Sequence, residues 1–258
     1  MTDSGTCWRW MAWMWLAGGL PWLAAAETNF AARYERILQQ CQTVVQTQPT
    51  NAEAAWKLAR AWFDCAEFAT NNARRAEMAR QGIAAALDAI RLKPDAAPAH
   101  YYHALNVGTL ADASRGLSGL KLVSEMEHSF LKAHELDAAF DFAGADRSLG
   151  LLYRDAPGWP ISVGSRSKAR LHFEKACELA GDYPENRLNQ MDAWIKWGDK
   201  AKAVAETKKV ARVLAEARKK LAGEEWASAW ADWDRQWQGI QVRLADAPGG
   251  FPGHKSAR

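Results

Sequence analysis

The chain has 258 residues, of which 48% are hydrophobic and 24% are charged, and its net charge at neutral pH is +3. This composition is typical of a folded globular protein, and the mild positive excess is not evidence of a nucleic-acid partner, so none is expected. Valine, isoleucine and threonine are scarce and alanine-rich stretches dominate, which predicts an all-α fold.

Residues 1–26 have the pattern of a cleaved signal peptide. Arg9 precedes an apolar run from Trp10 to Leu23, and Ala24–Ala26 supply small residues before the expected cleavage point. A membrane anchor is the alternative, but the run is shorter than the ~20 residues that a spanning helix needs. No cysteine directly follows the run, so the sequence does not support a lipid anchor. We expect a soluble protein exported to the periplasm.

A helical domain is expected over residues 27–246, followed by a disordered tail over residues 247–258. Its first helix carries apolar residues at helical spacing over Phe30–Cys41 and ends before Pro49. This helix has no repeat partner upstream. It is either an N-terminal cap or the second half of an imperfect repeat.

Four helix pairs follow, each with the small and large residues that let the two helices of a tetratricopeptide repeat (TPR) interlock. The predicted helices are Ala52–Phe68 with Ala76–Leu92, Ala99–Asp112 with Leu120–Leu136, a pair within residues 145–186, and a pair within Pro184–Leu221. The segment Gly116–Gly119 is expected to interrupt the second pair. The pattern therefore predicts a TPR α-solenoid with capping helices at both ends.

The third pair contains an insertion. Its helices carry Leu149, Gly150 and Tyr153, then Ala169, Phe173 and Ala176, and the loop between them is Ala156-Pro157-Gly158-Trp159-Pro160-Ile161-Ser162-Val163-Gly164. The insertion adds roughly seven residues to the 34-residue template. Trp159 either folds back as a lid over its own repeat or docks on a partner, because insertions in such repeats often lie on the binding face.

Several runs lie between Ala97 and about Val213, and the looped third pair among them is more than a generic repeat needs. They are Tyr101-Tyr102-His103-Ala104-Leu105-Asn106, Lys132-Ala133-His134-Glu135-Leu136-Asp137, Asp146-Arg147-Ser148-Leu149-Gly150-Leu151-Leu152-Tyr153, Pro157-Gly158-Trp159-Pro160 and Asp182-Tyr183-Pro184-Glu185-Asn186. They resemble the T component of tripartite ATP-independent periplasmic (TRAP) transporters. The resemblance implies an accessory protein that docks on a periplasmic solute-binding protein and passes a small, partly apolar organic ligand. It also implies a possible homo-oligomer, since some members are trimers.

The last helix carries the most regular apolar stripe of the chain. Its members are Trp226, Trp230, Trp233, Trp237, Ile240 and Leu244, spaced four and three residues apart in turn. A face this apolar must be buried. We expect a C-terminal capping helix, and a homo-oligomer seam is the alternative.

No catalytic motif or phosphate-binding glycine loop is recognisable, so we expect neither an enzyme nor a cofactor. His100 and His103 lie three residues apart, but no third ligand is near them in sequence, so no metal site is expected. Cys41, Cys65 and Cys177 are interpreted as small core residues without a disulfide.

The candidate binding residues centre on Asp146 and Arg147, near the start of the third pair. Asp146 has a structural explanation, because carboxylates are stabilised by the free N–H groups of a helix N-terminus. In the functional interpretation, Arg147 holds an anionic group of a ligand or partner, and Tyr102, Asn106 and Trp159 line the same groove. The candidate set is completed by the loop residues Pro157, Pro160 and Ser162. A generic periplasmic interaction scaffold, unrelated to transport, is the alternative function.

Overall fold

The computed structural model describes residues 21–114 and 117–245. The expected leader lies mostly outside these residues, as does the expected tail. The described chain has no strand, apart from one isolated bridge between Gly158 and Gly164. Its α-helices are α1 (Pro21–Thr47), α2 (Ala52–Ala66), α3 (Asn72–Leu92), α4 (Ala97–Ala113), α5 (Leu117–Leu136), α6 (Phe140–Asp155), α7 (Arg166–Leu179), α8 (Pro184–Lys196), α9 (Lys200–Lys220) and α10 (Ala227–Ala245).

The starts of α2 and α3 follow local sequence signals. The Asn51 side chain accepts hydrogen bonds from the backbone N–H groups of Glu53 and Ala54, and Asn71 caps α3 in the same way. The expected interruption at 116–119 is too long, because α5 already begins at Leu117. No helix in the described ranges has both the length and the apolar character to cross a membrane.

The chain divides into two compact units. The first ends at Ala169 and the second begins at Arg170, within α7. In the first unit, each helix from α1 to α6 packs on the next along the chain. Contacts also join α2 to α4 and α4 to α6, so the first helices of successive pairs form one layer. The all-α architecture of stacked helix pairs is the one that the sequence predicts.

The second unit has its own core. Trp230, Trp233, Ile240 and Leu244 are buried against α8 and α9, while Trp226 and Trp237 pack on the same cluster and remain partly exposed. Trp226 lies in a short 3-10 turn, residues 224–226, that precedes α10. The apolar stripe is therefore largely buried against its own chain, as expected of a C-terminal capping helix.

The three described cysteines form no disulfide. Cys65 and Cys177 are buried and Cys41 is partly buried, so the prediction of small core residues is confirmed for the first two and is only half correct for Cys41. Burial raises the pKa of the Cys65 thiol to about 12 and that of Cys177 to about 11. These thiols are inert at neutral pH because the thiolate is the reactive form.

Candidate functional site

An aromatic cluster joins α2, α4 and α6. The rings of Trp56 and Tyr102 stack with their centroids 5.8 Å apart. Phe140, at the start of α6, meets both Trp56 and Tyr102 edge-on at 6.2 Å. Tyr101 contacts Tyr102 at 5.2 Å and Phe140 at 5.6 Å. These offset and edge-to-face arrangements are the favourable ones for aromatic pairs, and they join three helices in one cluster.

The backbone directly after Phe140 has an unusual conformation. Asp141, Phe142 and Ala143 have φ angles of 52°, 55° and 61°, so three successive non-glycine residues are left-handed. This conformation costs roughly 1–2 kcal/mol per residue for an L-amino acid. Such backbone persists only where the surroundings hold it in place, and it occurs preferentially at functional sites.

Arg147 is the main support of this left-handed turn. One guanidinium nitrogen, Nη1, donates to the carbonyl oxygens of Asp141 and Phe142, both at 3.2 Å. The other, Nη2, donates to the Asp141 carboxylate at 2.9 Å. The Tyr101 hydroxyl donates to the same carboxylate oxygen at 2.9 Å. The guanidinium is therefore buried and engaged inside its own chain, and the structure does not show it facing a groove to hold a ligand's anionic group.

Charged side chains of α2 border the aromatic cluster. The Lys57 ammonium lies 5.7 Å from the Trp56 ring centroid, and the Arg60 guanidinium lies 5.9 Å from that of Tyr102. About half of each cationic side chain is exposed, at 52% and 55%. Arg60 also pairs with Asp64 at 3.5 Å. The cluster thus presents cations over aromatic faces at the surface of the first unit.

The electrostatics of this region favour protonated groups. Burial raises the pKa of the Asp64 carboxyl to about 6, with the charge of Asp141 adding to the effect and that of Arg60 opposing it. Burial also raises the pKa of the Tyr102 hydroxyl, again with a contribution from Asp141. Tyr102 is therefore a neutral, buried ring at physiological pH.

Asn106 lies one turn beyond Tyr102 and is fully buried. Its side-chain amide Nδ2 donates to the carbonyl oxygens of Ala59 at 3.0 Å and of Tyr102 at 2.8 Å. Its Oδ1 atom has no hydrogen-bond partner in the described chain. Gly82 of α3 makes room for this side chain, since a Cβ there would lie 2.0 Å from Oδ1. The residue joins three helices and does not line an open groove.

Asp146 is fully buried as well. Its carboxylate oxygen Oδ2 lies 2.8 Å from His134 Nδ1, which donates the hydrogen bond. This partner comes from α5 and was not part of the sequence expectation, which invoked the helix N-terminus.

The inserted loop between α6 and α7 occupies residues 156–165, as expected. The backbone N–H of Gly164 donates to Pro157 O at 2.9 Å, and that of Ser165 donates to Tyr153 O at 2.8 Å, so the base of the loop is pinned. The Trp159-Pro160 peptide bond is cis. Trp159 is 89% exposed and Ile161 is 67% exposed. The lid interpretation of Trp159 is wrong, because its ring projects into solvent.

The eight candidate residues therefore separate into two groups. Tyr102, Asn106, Asp146 and Arg147 are buried within the helices, whereas Pro157, Trp159, Pro160 and Ser162 belong to the loop. No single groove contains them all. The residues that sequence reasoning missed are Trp56, Lys57, Arg60, Tyr101, Phe140 and Asp141. Trp56 and Arg60 are four residues apart on one predicted helix, a spacing that could have indicated a shared face.

A small cavity also lies in the first unit, with a volume of about 50 Å³. Most of its walls are apolar, and Arg75 and Asp112, which also line it, form an ion pair at 3.2 Å. Its lining is formed by Arg75, Leu105, Gly108, Thr109, Ala111, Asp112, Met126, Phe130, Ser148 and Leu151. A cavity that holds benzene measures roughly 150 Å³, so this one is too small for an organic ligand of that size. Within residues 21–114 and 117–245, no group of three or more His, Cys, Asp or Glu side chains is placed to hold a metal ion.

Comparison with solved structures identifies the fold. A thermophilic TPR protein of Thermus thermophilus superposes with a TM-score of 0.61 and 16% sequence identity, over 86% of this chain and 97% of that one. The fold is that of a TPR protein. At this level of identity the likeness concerns the fold alone.

Comparison of sequences adds a partial family match. Residues 23–143 match the model of a family described as Regulator of microtubule dynamics protein 1-3, which is a little under half of the chain. The match covers α2 and α4 and extends to the left-handed turn at 141–143. A search of curated proteins found no match.

Proposed function

We propose that this protein is a non-catalytic interaction protein that binds a partner polypeptide on the exposed side of the α2, α4 and α6 layer. The observation that carries this proposal is the left-handed turn at 141–143, kept in place by Arg147 beside an aromatic cluster. Strained backbone of this kind clusters at functional sites, and here it lies directly after Phe140 of the aromatic cluster.

The chemistry of this surface fits a polypeptide partner. Trp and Arg are among the residue types that dominate binding energy at protein interfaces, and Trp56 and Arg60 both lie against the ring of the buried Tyr102. Phe142 is 39% exposed at the turn itself. We term the surface formed by Trp56, Lys57, Arg60, Phe140 and Phe142 the aromatic–cation face.

A more specific form of the proposal assigns the protein to a TRAP transport system. The runs between Ala97 and about Val213 support it, as does the leader pattern of residues 1–26, which would export the protein to the periplasm. The partner would then be a periplasmic solute-binding protein, a trimeric state would follow from the resemblance, and Trp159 would supply a second contact. The cavity described above adds no support for a carried organic ligand.

A pull-down tests both levels of the proposal. The tagged full-length protein is incubated with a periplasmic extract and the captured proteins are identified, alongside the variant Lys57→Glu/Arg60→Glu. The control variant, Arg80→Glu/Arg91→Glu, makes the same charge change at exposed positions of α3. We expect a solute-binding protein to be captured by the wild type and the control and to be lost with the α2 variant. Capture of other proteins through the same residues would end the transport assignment, and capture that survives the α2 variant would end the assignment of the face.

The family-model match favours a second candidate, a role in microtubule regulation like that named for the matched family. Co-sedimentation of the protein with polymerised tubulin distinguishes this candidate from transport. Sedimentation with microtubules that the α2 variant abolishes would support it. Absence of co-sedimentation at micromolar concentrations would exclude it.

A further inference from the structure

The helix α9 concentrates the positive charge of the chain. It contains eight basic and two acidic residues, which gives a charge of +6. The whole chain carries +3, so all its other residues together carry −3. A single helix therefore presents a cationic surface on an otherwise slightly acidic protein.

Part of this charge is neutralised inside the second unit. Arg218 pairs with Asp234 of α10, and Lys220 pairs with Asp182 before α8. Lys209 and Lys219 each pair with a glutamate of α9 itself. Three of these four pairs involve the last turn of α9, at Arg218, Lys219 and Lys220.

Lys208 and Arg212 differ from these paired residues of α9. Both are exposed, and neither forms an ion pair or hydrogen bond with any part of the chain that the structure describes. They lie four residues apart, so they are neighbours on one face, where like charges destabilise a helix. Glu216 follows on the same face, four residues after Arg212, but its carboxylate pairs with Lys219 at 2.8 Å and forms no ion pair with Lys208 or Arg212. An acidic partner would offset the repulsion between Lys208 and Arg212.

On the same face, the residues between the basic side chains are small. Ala201, Ala205, Ala211 and Ala215 are all exposed, and they leave the helix backbone accessible between the long side chains. From Lys208 to the exposed Lys219 the face extends about 16 Å, given a rise of about 1.5 Å per residue. This length matches three turns of a helix or about five residues of an extended chain.

We infer that this face of α9 binds an acidic segment of another polypeptide. Its alanines admit close approach of a backbone, and Lys208 and Arg212 would pair with carboxylates of the segment. A long nucleic acid fits less well, because its phosphates would extend beyond the helix onto a chain whose remaining charge is −3. A membrane surface also fits less well, because the face offers alanines and no large apolar side chain to insert. The inference uses residues of the second unit alone and is independent of the aromatic–cation face.

Fluorescence anisotropy with labelled poly-L-glutamate tests this inference on the full-length protein. The variants are Lys208→Glu/Arg212→Glu and the neutral Lys208→Gln/Arg212→Gln, and the control is Arg80→Glu/Arg91→Glu, which makes the same change of net charge as the Glu variant. We expect the Glu variant to lose at least tenfold in affinity, the Gln variant to lose about three- to tenfold, and the control to lose less than twofold. Circular dichroism checks that each variant keeps its helical content.

Two parallel probes complete the test. A 30-base-pair DNA duplex and vesicles containing phosphatidylglycerol are measured at the same ionic strength. Weaker binding to both than to poly-L-glutamate supports the inference. Equal losses of affinity in the α9 variants and in the control would show that binding depends on net charge alone and would contradict the inference. Tighter binding to DNA or to vesicles through Lys208 and Arg212 would show that the partner is a nucleic acid or a membrane and not an acidic polypeptide. Absence of poly-L-glutamate binding at 50 mM salt would overturn the inference.

Discussion

Asn106 shows how a single buried amide can fix the relative positions of three helices. Its Nδ2 atom bonds carbonyl oxygens of α2 and α4, and its side chain fills the space above Gly82 of α3. The substitution Gly82→Ala would place a Cβ 2.0 Å from Asn106 Oδ1. We expect it to lower the free energy of unfolding by about 1–3 kcal/mol, because the amide must move and lose its bonds. Urea denaturation followed by circular dichroism measures this change.

Gly239 in α10 provides the matched control. A Cβ there meets no atom within 4 Å, so Gly239→Ala introduces no clash. We expect this variant to be unchanged or to gain up to about 1 kcal/mol, since alanine favours a helix over glycine. Equal effects of the two substitutions would show that Asn106 does not depend on the space at Gly82.

The cysteines yield a second prediction at the scale of single residues. Burial raises the pKa of Cys65 to about 12 and of Cys177 to about 11, whereas Cys41 is partly exposed. Alkylation of the native protein at pH 8, with peptide mapping by mass spectrometry, should therefore modify Cys41 first. Cys65 and Cys177 should react at comparable rates only after denaturation. Fast labelling of either residue in the native state would contradict their burial.

At the scale of elements, the left-handed turn before the main body of α6 depends on one ion pair. Arg147 and Asp141 are 2.9 Å apart, with 6% and 28% of their side chains exposed. A double-mutant cycle with Arg147→Gln and Asp141→Asn should give a coupling free energy above about 1 kcal/mol, because the pair is largely desolvated and fixes the backbone. Urea denaturation of the four proteins supplies the values.

The exposed pair Arg91–Asp88 of α3 is the control for this cycle. Its side chains are 69% and 63% exposed, and such pairs couple by less than about 0.5 kcal/mol. Asparagine also adopts left-handed backbone more easily than most residues, so Asp141→Asn tests the charge with little change in backbone preference. Similar coupling in both cycles would mean that Arg147 does not support the turn.

The elements themselves were largely readable from the sequence. Apolar periodicity placed the helices; Asn51, which caps α2, is a residue type favoured at helix starts, and Gly198, with a φ of 82°, is a residue type favoured in turns such as the one it occupies between α8 and α9. These features depend on neighbours along the chain. The left-handed turn at 141–143 carries no glycine, and its side-chain hydrogen bonds come from Arg147 and from Tyr101, which is 40 residues away, so the residues of the turn give no signal for it.

The candidate site was less predictable for the same reason. Tyr102 and Arg147 do lie near each other, linked through Tyr101 and Asp141, but sequence alone does not tell a buried arginine from an exposed one. The exposure of Trp159 was likewise open, because a loop tryptophan can fold back or project. The aromatic–cation face combines side chains of α2 and α6, two helices that no single window of sequence contains.

At the scale of the whole molecule, Asp64 makes stability depend on pH. Its carboxyl lies near the end of α2, where the helix dipole also disfavours a negative charge, and its pKa in the folded state is about 6 against an ordinary value of 3.8. Folded Asp64 thus holds its proton more tightly than unfolded Asp64. Below about pH 4 the Asp64 carboxyl is protonated in both states, so it does not lower the free energy of unfolding. Between about pH 4 and pH 6 the carboxyl ionises in the unfolded state first, and the free energy of unfolding falls as the pH rises.

The variant Asp64→Asn isolates this contribution, because an amide resembles the protonated carboxyl at every pH. We expect wild type and variant to have similar stability at about pH 4 and the variant to be more stable by about 2 kcal/mol at about pH 7.5, a value below the full linkage figure because 23% of the Asp64 side chain is exposed. Urea denaturation at the two pH values measures the difference. A difference that stays constant with pH would show that the Asp64 charge does not oppose folding. Asp64 pairs with Arg60 of the aromatic–cation face. A variant that is more stable but loses partner binding would indicate that the Asp64 charge lowers stability and is retained for binding.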